Sequence, residues 1–287
     1  MQVEGLKELI ASGSLRAAPG PVAAIIAEDE AEVAATFRHH ADKGFRTLLL
    51  FAPRDLTPDG PLPDGVIRVD FPTRAPDTAP TIVNALVDAL PPRTWLYYGY
   101  NAEFLFYPFA ETRSVGEVLT FHAEERRDAM LTYVIDLYAG DLSGADDAVS
   151  LTDAWLDRSG YYARARQGEN GPLERQLDFH GGLRWRFEEH IDPRRRRIDR
   201  IGLVRTKPGL RLRADHTWSE PELNTYACPW HNNLTAAIVS FRTAKALRTN
   251  PASRDAIDGF RWHNSQRFEW QSQQLMDLGL MEPGQWF

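Results

Sequence analysis

The sequence predicts an α/β fold: a mostly parallel sheet flanked by helices, with a helical extension at the C-terminal end. Three observations carry that expectation. Short, continuous apolar runs recur through the first third of the chain. Stripes of apolar residues at helical spacing lie between them. Turn-rich punctuation, with Pro and Gly, separates the two kinds of segment.

Val22 to Ala27, behind Pro21, has the pattern of a strand buried on both faces. Glu28-Asp29-Glu30 follow at once, and Val33, Phe37 and Ala41 then recur at helical spacing up to a stop at Gly44. A second strand is expected over Thr47 to Ala52, a turn-rich stretch over Pro53 to Asp64, and a third strand over Val66 to Phe71. Ile82, Val83, Leu86 and Leu90 form a helical stripe closed by Pro91-Pro92. Trp95 to Tyr98 reads as a fourth strand. Val115, Val118, Leu119 and His122 indicate a further helix, and Met130 to Tyr138 a strong strand. Ser143 to Gly171 is less periodic and is expected to be loop with short elements. Leu234, Ile238, Phe241, Ala244, Lys245 and Leu247 predict an amphipathic helix, and a last helix is expected over Ser253 to Leu278. The terminal aromatics Trp286 and Phe287 are expected to dock. These readings put one domain at 1–225 and a helical extension packed on it at 226–287.

At 287 residues the chain can bury a full core. Hydrophobic content of 43% and charged content of 25% are those of a globular protein. A net charge of −7 argues against nucleic acid as the main partner. Cys228 is the only cysteine, so no intrachain disulfide forms. No apolar run approaches the roughly 20 residues of a membrane span, and the start lacks the pattern of a signal peptide. The expected location is the cytoplasm. The sequence does not indicate an oligomeric state.

Ligands of open α/β sheets sit at the carboxyl ends of the strands. Two groups lie just past such ends: Glu28, Asp29 and Glu30, and the pair Asn101 and Glu103. The first could face a cleft or cap a helix. Magnesium or manganese wants oxygen ligands, and Glu103 can give a carboxylate and Asn101 a carbonyl oxygen. Asn101 could equally end the strand with a turn hydrogen bond. Asp136, Asp141 and His180 are candidate general bases, with structural roles as the alternative. His39 and His40 read as helix-end or buried histidines. Between Pro193 and Arg213 nine Arg or Lys face one acid, Asp199. That run reads as a solvated face, though a guanidinium, here also at Arg184 and Arg186, can pair with two oxygens of an anion at once. His231, Asn232, Asn233, His263 and Asn264 are polar clusters near the final helices. No Gly-x-Gly-x-x-Gly or Gly-x-x-x-x-Gly-Lys follows any strand.

Several of these segments together resemble the family-2-like glycosyltransferases of the GT-A fold, the Rossmann-like group with an Asp-x-Asp-Glu-Phe signature that is related to family 92. The carrying residues are Ala24 to Glu30, Arg38-His39-His40 to Gly44-Phe45, Asn101-Ala102-Glu103-Phe104-Leu105 with Tyr107-Pro108, His180-Gly181-Gly182-Leu183-Arg184-Trp185-Arg186, and Ile201 to Lys207. The resemblance spans roughly residues 20 to 245. It implies a GT-A-like domain, a nucleotide-sugar donor (a UDP-sugar above all), a glycan or small-molecule acceptor and a divalent metal, Mg or Mn. On that basis Glu28, Asp29, Glu30, Arg184 and Arg186 are expected at the nucleotide, and Asn101 and Glu103 at the metal. Two departures stand out. Asn101-Ala102-Glu103 replaces Asp-x-Asp, and Ser240-Phe241-Arg242 stands where relatives carry His-Phe-Lys. The alternative is a catalytically silent relative that binds a nucleotide sugar or glycan, or acts as a scaffold.

Overall fold

The computed structural model describes residues 1–225 and 234–286. In chain order its first elements are β1 (Gln2–Val3), α1 (Leu6–Ala11), β2 (Val22–Ile26), α2 (Val33–Asp42), β3 (Thr47–Ala52) and β4 (Ile67–Asp70). Then come α3 (Thr78–Ala89), β5 (Trp95–Tyr100), β6 (Glu103–Phe106), α4 (Val115–Glu124), β7 (Ala129–Ala139), β8 (Ala154–Asp157), β9 (Tyr162–Gly168) and β10 (Gly171–His180). The remainder is α5 (Leu183–Arg186), β11 (Asp199–Arg205), β12 (Ala236–Ser240), α6 (Arg242–Thr249), β13 (Ser265–Arg267) and α7 (Ser272–Asp277), with short 3-10 turns between.

The chain forms two compact units. The first takes Met1–Phe104, Thr112–Leu131 and Ile201–Asn224; the second takes Leu105–Glu111, Thr132–Arg200 and Thr225–Phe287. Compactness thus divides the chain differently from the boundary expected at 225/226. Strand pairing between distant segments is the reason: β12 runs parallel to β7, with Ala236 opposite Thr132 and Ser240 opposite Asp136.

In the first unit the strands lie in the order β1-β4-β3-β2-β5-β11. The pairs up to β5 are parallel, and β11 pairs antiparallel with β5. All residues of β2 and β3 are buried, as the continuous apolar runs require of strands covered on both faces. Helix α2 buries Val33, Phe37 and His40, and α3 buries Ile82, Val83 and Leu86. This unit therefore has the expected α/β character. Strand order reverses between β2 and β5: from β2 the chain lays β3 and β4 to one side, then returns to place β5 on the other. Val22 faces Leu96 and Ile26 faces Tyr100, so the two strands end side by side.

The second unit is less regular. Strand β8 is antiparallel to β7 and β13 is antiparallel to β8, while β9 and β10 form a separate antiparallel hairpin. Its core gathers Tyr138, Leu142, Leu183, Ala244, Leu247, Ile257 and Phe260, with Trp155 and Phe187 packed against it. Two sequence expectations change here. The stripe Leu234 to Leu247 is not one helix: β12 takes its first part and α6 its second. Within Ser253 to Leu278 only Ser272–Asp277 is helical, so the C-terminal stretch is mixed rather than a helical extension. Trp286 is buried, with its ring near Tyr107 and Phe109.

Candidate functional site

The point where parallel strand order reverses is where an open α/β sheet leaves a crevice for a ligand. Here it lies at the ends of β2 and β5. The loop leaving β2 carries Glu28 and Asp29, both half-buried, and exposed Glu30. Its backbone is held from two directions. Thr73 Oγ1 donates to the Ala27 carbonyl at 2.5 Å, and Arg74 Nε to the Glu28 carbonyl at 2.7 Å. From β5, Asn101 uses its whole amide: Oδ1 accepts from the Glu28 N–H at 3.0 Å, and Nδ2 donates to Asp29 Oδ1 at 2.6 Å and to the Ala31 carbonyl at 2.9 Å. Asp29 Oδ1 also accepts from the Ala31 N–H at 3.1 Å.

The acidic run does not cap α2. The helix starts after Glu32, whose side chain makes no capping bond. Asp59 takes that role instead, its Oδ1 accepting from the Ala34 N–H at 2.7 Å.

Asn101 and Glu103 are both fully buried. Ala102 between them takes a left-handed φ of 57° and gives its N–H to Thr36 Oγ1 at 2.9 Å. This tight turn folds Glu103 back on the strand end, where Oε2 accepts from the Tyr100 N–H at 2.9 Å. A magnesium or manganese ion needs carboxylate oxygens that also face substrate phosphate and water. The pair does not fit that requirement: the amide is spent on the loop and the carboxylate is turned inward. Among the described residues no group of three or more His, Cys, Asp or Glu is placed to hold a metal ion. Asn101 acts as a fastener for the acidic loop, and Glu103 closes the turn at the strand end.

His40 is fully buried, with Nδ1 2.8 Å from the Thr36 carbonyl and its ring against Phe45 and Tyr97. Burial lowers its pKa to about 4, against the pull of the Thr36 bond and the Glu103 charge. His39 meets Phe104 edge-on. Both are structural, as read from the sequence. A histidine that the sequence reading passed over, His216, stacks on Tyr98 at 6.0 Å with Nδ1 3.1 Å from the phenol oxygen. It sits on a turn with a left-handed φ of 62°, and no local pattern marks it.

The remaining candidates belong to the second unit. Asp136 is fully buried. Arg184 Nε lies 3.5 Å from Oδ1. Burial raises its pKa, with Arg184 and Thr243 opposing. Gly182 closes over it: a Cβ there would stand 2.9 Å from Asp136 Oδ2, and the φ of 61° also favours glycine. Asp141 is exposed and caps a 3-10 turn, accepting from Ser143 N and Oγ at 2.8 Å, which lowers its pKa. His180 is half-buried, stacks on Tyr162 at 5.2 Å, and has a pKa lowered chiefly by burial.

The arginines expected at a diphosphate are engaged within the protein. Arg184 donates to Thr243 Oγ1 at 3.1 Å and to the Arg197 carbonyl at 2.5 Å. Arg186 Nη1 reaches both oxygens of Asp157 at 3.1 and 3.2 Å. Asp157, which the sequence reading did not single out, also accepts from Tyr138 Oη at 2.5 Å and Trp262 Nε1 at 2.8 Å. Much of the basic run is likewise paired: Arg194 with Asp192, Arg196 with Glu188, Arg197 with Asp178, Arg205 with Asp128, Lys207 with Glu220 and Arg211 with Asp88. His231, Asn232 and Asn233 lie outside the described residues; His263 and Asn264 lie in the turn between Trp262 and β13.

No described helix is long and apolar enough to cross a membrane. In comparisons with known proteins, no protein-family model and no curated sequence matches this chain.

Proposed function

We propose that the chain is a glycosyltransferase that takes a sugar from a nucleoside diphosphate donor, a UDP-sugar, and passes it to a glycan or small-molecule acceptor. One observation carries the reading: the reversal of strand order at β2 and β5, with an acidic loop fixed at that crevice. Carboxylates at such a crevice accept hydrogen bonds from ribose hydroxyls. Glu28, Asp29 and Glu30 would meet the nucleoside end of the donor in this way. A fixed loop binds without a further ordering cost, which favours affinity. Taken by itself, His180 in the second unit is a candidate base. Its lowered pKa leaves the ring neutral near pH 7, able to accept a proton from a hydroxyl. Asp136 is walled in by Gly182, and Asp141 is committed to its turn.

The fit of Asn101 and Glu103 to a metal is poor, so no step is assigned to one. The same observation favours a second reading, a catalytically silent relative that binds a nucleotide sugar. Thermal unfolding with millimolar UDP separates these readings. Ligand at about 100 times its dissociation constant adds about 2.7 kcal/mol to stability, a rise of several degrees in midpoint. No rise with UDP, in EDTA or in manganese, would end both nucleotide readings. A rise without release of UDP from any UDP-sugar in the presence of acceptors would leave the silent relative.

A further inference from the structure

Trp185 is the only exposed Phe, Tyr or Trp among the described residues, at 40% exposure. Its ring is nevertheless held in place. It lies over Gly160, where a Cβ would come within 2.9 Å of Trp185 Cζ3 at a φ of 93° that itself favours glycine. Trp262 meets it edge-on at 6.4 Å. Trp262 is in turn fixed by its Nε1–H bond to buried Asp157, by the Arg186 guanidinium 4.7 Å from its ring centre, and by its backbone bond to Ser265 Oγ at 2.8 Å. Asp157 is anchored by Tyr138 and Arg186. A buried polar network therefore supports an aromatic side chain that is part-exposed to solvent, although that exposure loses hydrophobic stabilisation.

We infer that Trp185 is a stacking platform for one sugar ring of a bound glycan. The face of an indole is electron-rich and attracts the partly positive C–H groups on one side of a pyranose. The ring's hydroxyls then project outward, where exposed Arg158 and Ser159 precede Gly160 and exposed His263 rests on Trp262 at 4.6 Å. The exposed apolar area is small. The exposed part of the indole, 40% of a side chain of roughly 250 Å², is about 100 Å². A stable protein interface needs about 800 Å² on each side. Among the described residues the other large exposed apolar side chains are Met1 and Ile10 in the first unit and Leu173 on the β9–β10 hairpin, against Gly168. The platform stands on its own geometry; that the glycan is the acceptor rests on the transferase reading.

The test is calorimetric titration of the whole chain with maltotriose, cellotriose, chitotriose and β-1,4-galactotriose, with saturation-transfer NMR. At least one trisaccharide is expected to bind. Trp185→Ala should weaken that binding by about tenfold or more, and Trp185→Phe by less, because a smaller aromatic face remains. The Phe variant keeps the comparison valid if the Ala variant unfolds. No binding by any of the four, equal binding by Trp185→Ala, or a dimer in sedimentation that Trp185→Ala dissolves would each overturn the inference. UDP stabilisation of the wild type is read beside it. Trisaccharide binding without UDP stabilisation keeps the platform and removes the transferase. UDP stabilisation without trisaccharide binding removes the platform alone.

Discussion

At the scale of single residues, Asn101 shows how one atom type fixes a site. Its Nδ2 donates to two acceptors, Asp29 Oδ1 and the Ala31 carbonyl, in a fully buried position. Asn101→Asp changes one nitrogen to oxygen and would restore the first acid of the resembled signature. Here it would set a charged oxygen against both acceptors, with no water to screen it. The expected result is a loss of about 3 kcal/mol in urea denaturation and no gain in manganese-dependent stabilisation. An aspartate variant as stable as the wild type, or one newly stabilised by manganese, would refute the fastening role. The position of Asn101 at the strand end was legible in the sequence. Its partners were not, because they lie some 70 residues away across a parallel pair whose register no local pattern sets.

At the scale of elements, α2 and α4 each place a histidine in the last turn and bury it. His40 and His122 both have pKa values lowered to about 4, mainly by burial. In the unfolded chain each titrates near 6.5. As pH falls through that value the unfolded state takes up protons that the folded state refuses, so stability falls between pH 6.5 and 4. Each group contributes about 1.4 kcal/mol per pH unit within that window. Raised pKa values at Asp136 and Asp199 act in the opposite sense, so the test is a difference between variants. His40→Asn and His122→Gln can keep the hydrogen bonds to Thr36 and Ala129 without a titrating group. Together they should cut the stability lost between pH 7 and 5 by about 4 kcal/mol, read from urea midpoints. An unchanged pH dependence would mean that the histidines are not held neutral by burial. Helical spacing made both helices legible. The Leu234 to Leu247 stripe misled for a physical reason: a wholly buried parallel strand is also a continuous apolar run, and only the length of that run separates it from a buried helix. Over residues 253–271 Ser, Gly259 and scattered aromatics follow helical spacing loosely, but they dock individually: Ile257, Phe260 and Phe268 are buried without a helix around them.

At the scale of the whole molecule, the sequence shows the α/β class because β2, β3 and β5 are buried strands whose composition needs no partner to be recognised. It does not show that β12 returns to β7, that Asp157 collects three side-chain donors, or that the arginines at 184 and 186 face inward. Each of these is a contact between distant segments, visible only once the chain is folded. The same pairings decide how the protein should meet metal and nucleotide. A nucleotide-sugar site built on a metal would lose UDP binding when the metal is chelated. Here the carbonyl oxygen of Asn101 is held by the Glu28 N–H, which fixes the acidic loop, and a carboxylate oxygen of Glu103 is held by the Tyr100 N–H. The folded state therefore should not depend on a divalent ion. The unfolding midpoint is expected to stay within about 1 °C after dialysis against EDTA, since an ion bound at 100 times its dissociation constant would be worth several degrees. UDP stabilisation, where it is seen, should survive the same dialysis. A fall of several degrees with EDTA, restored by manganese and absent from the Glu103→Gln variant, would show instead that Glu103 turns outward to a metal and that the fastening geometry is not the working one.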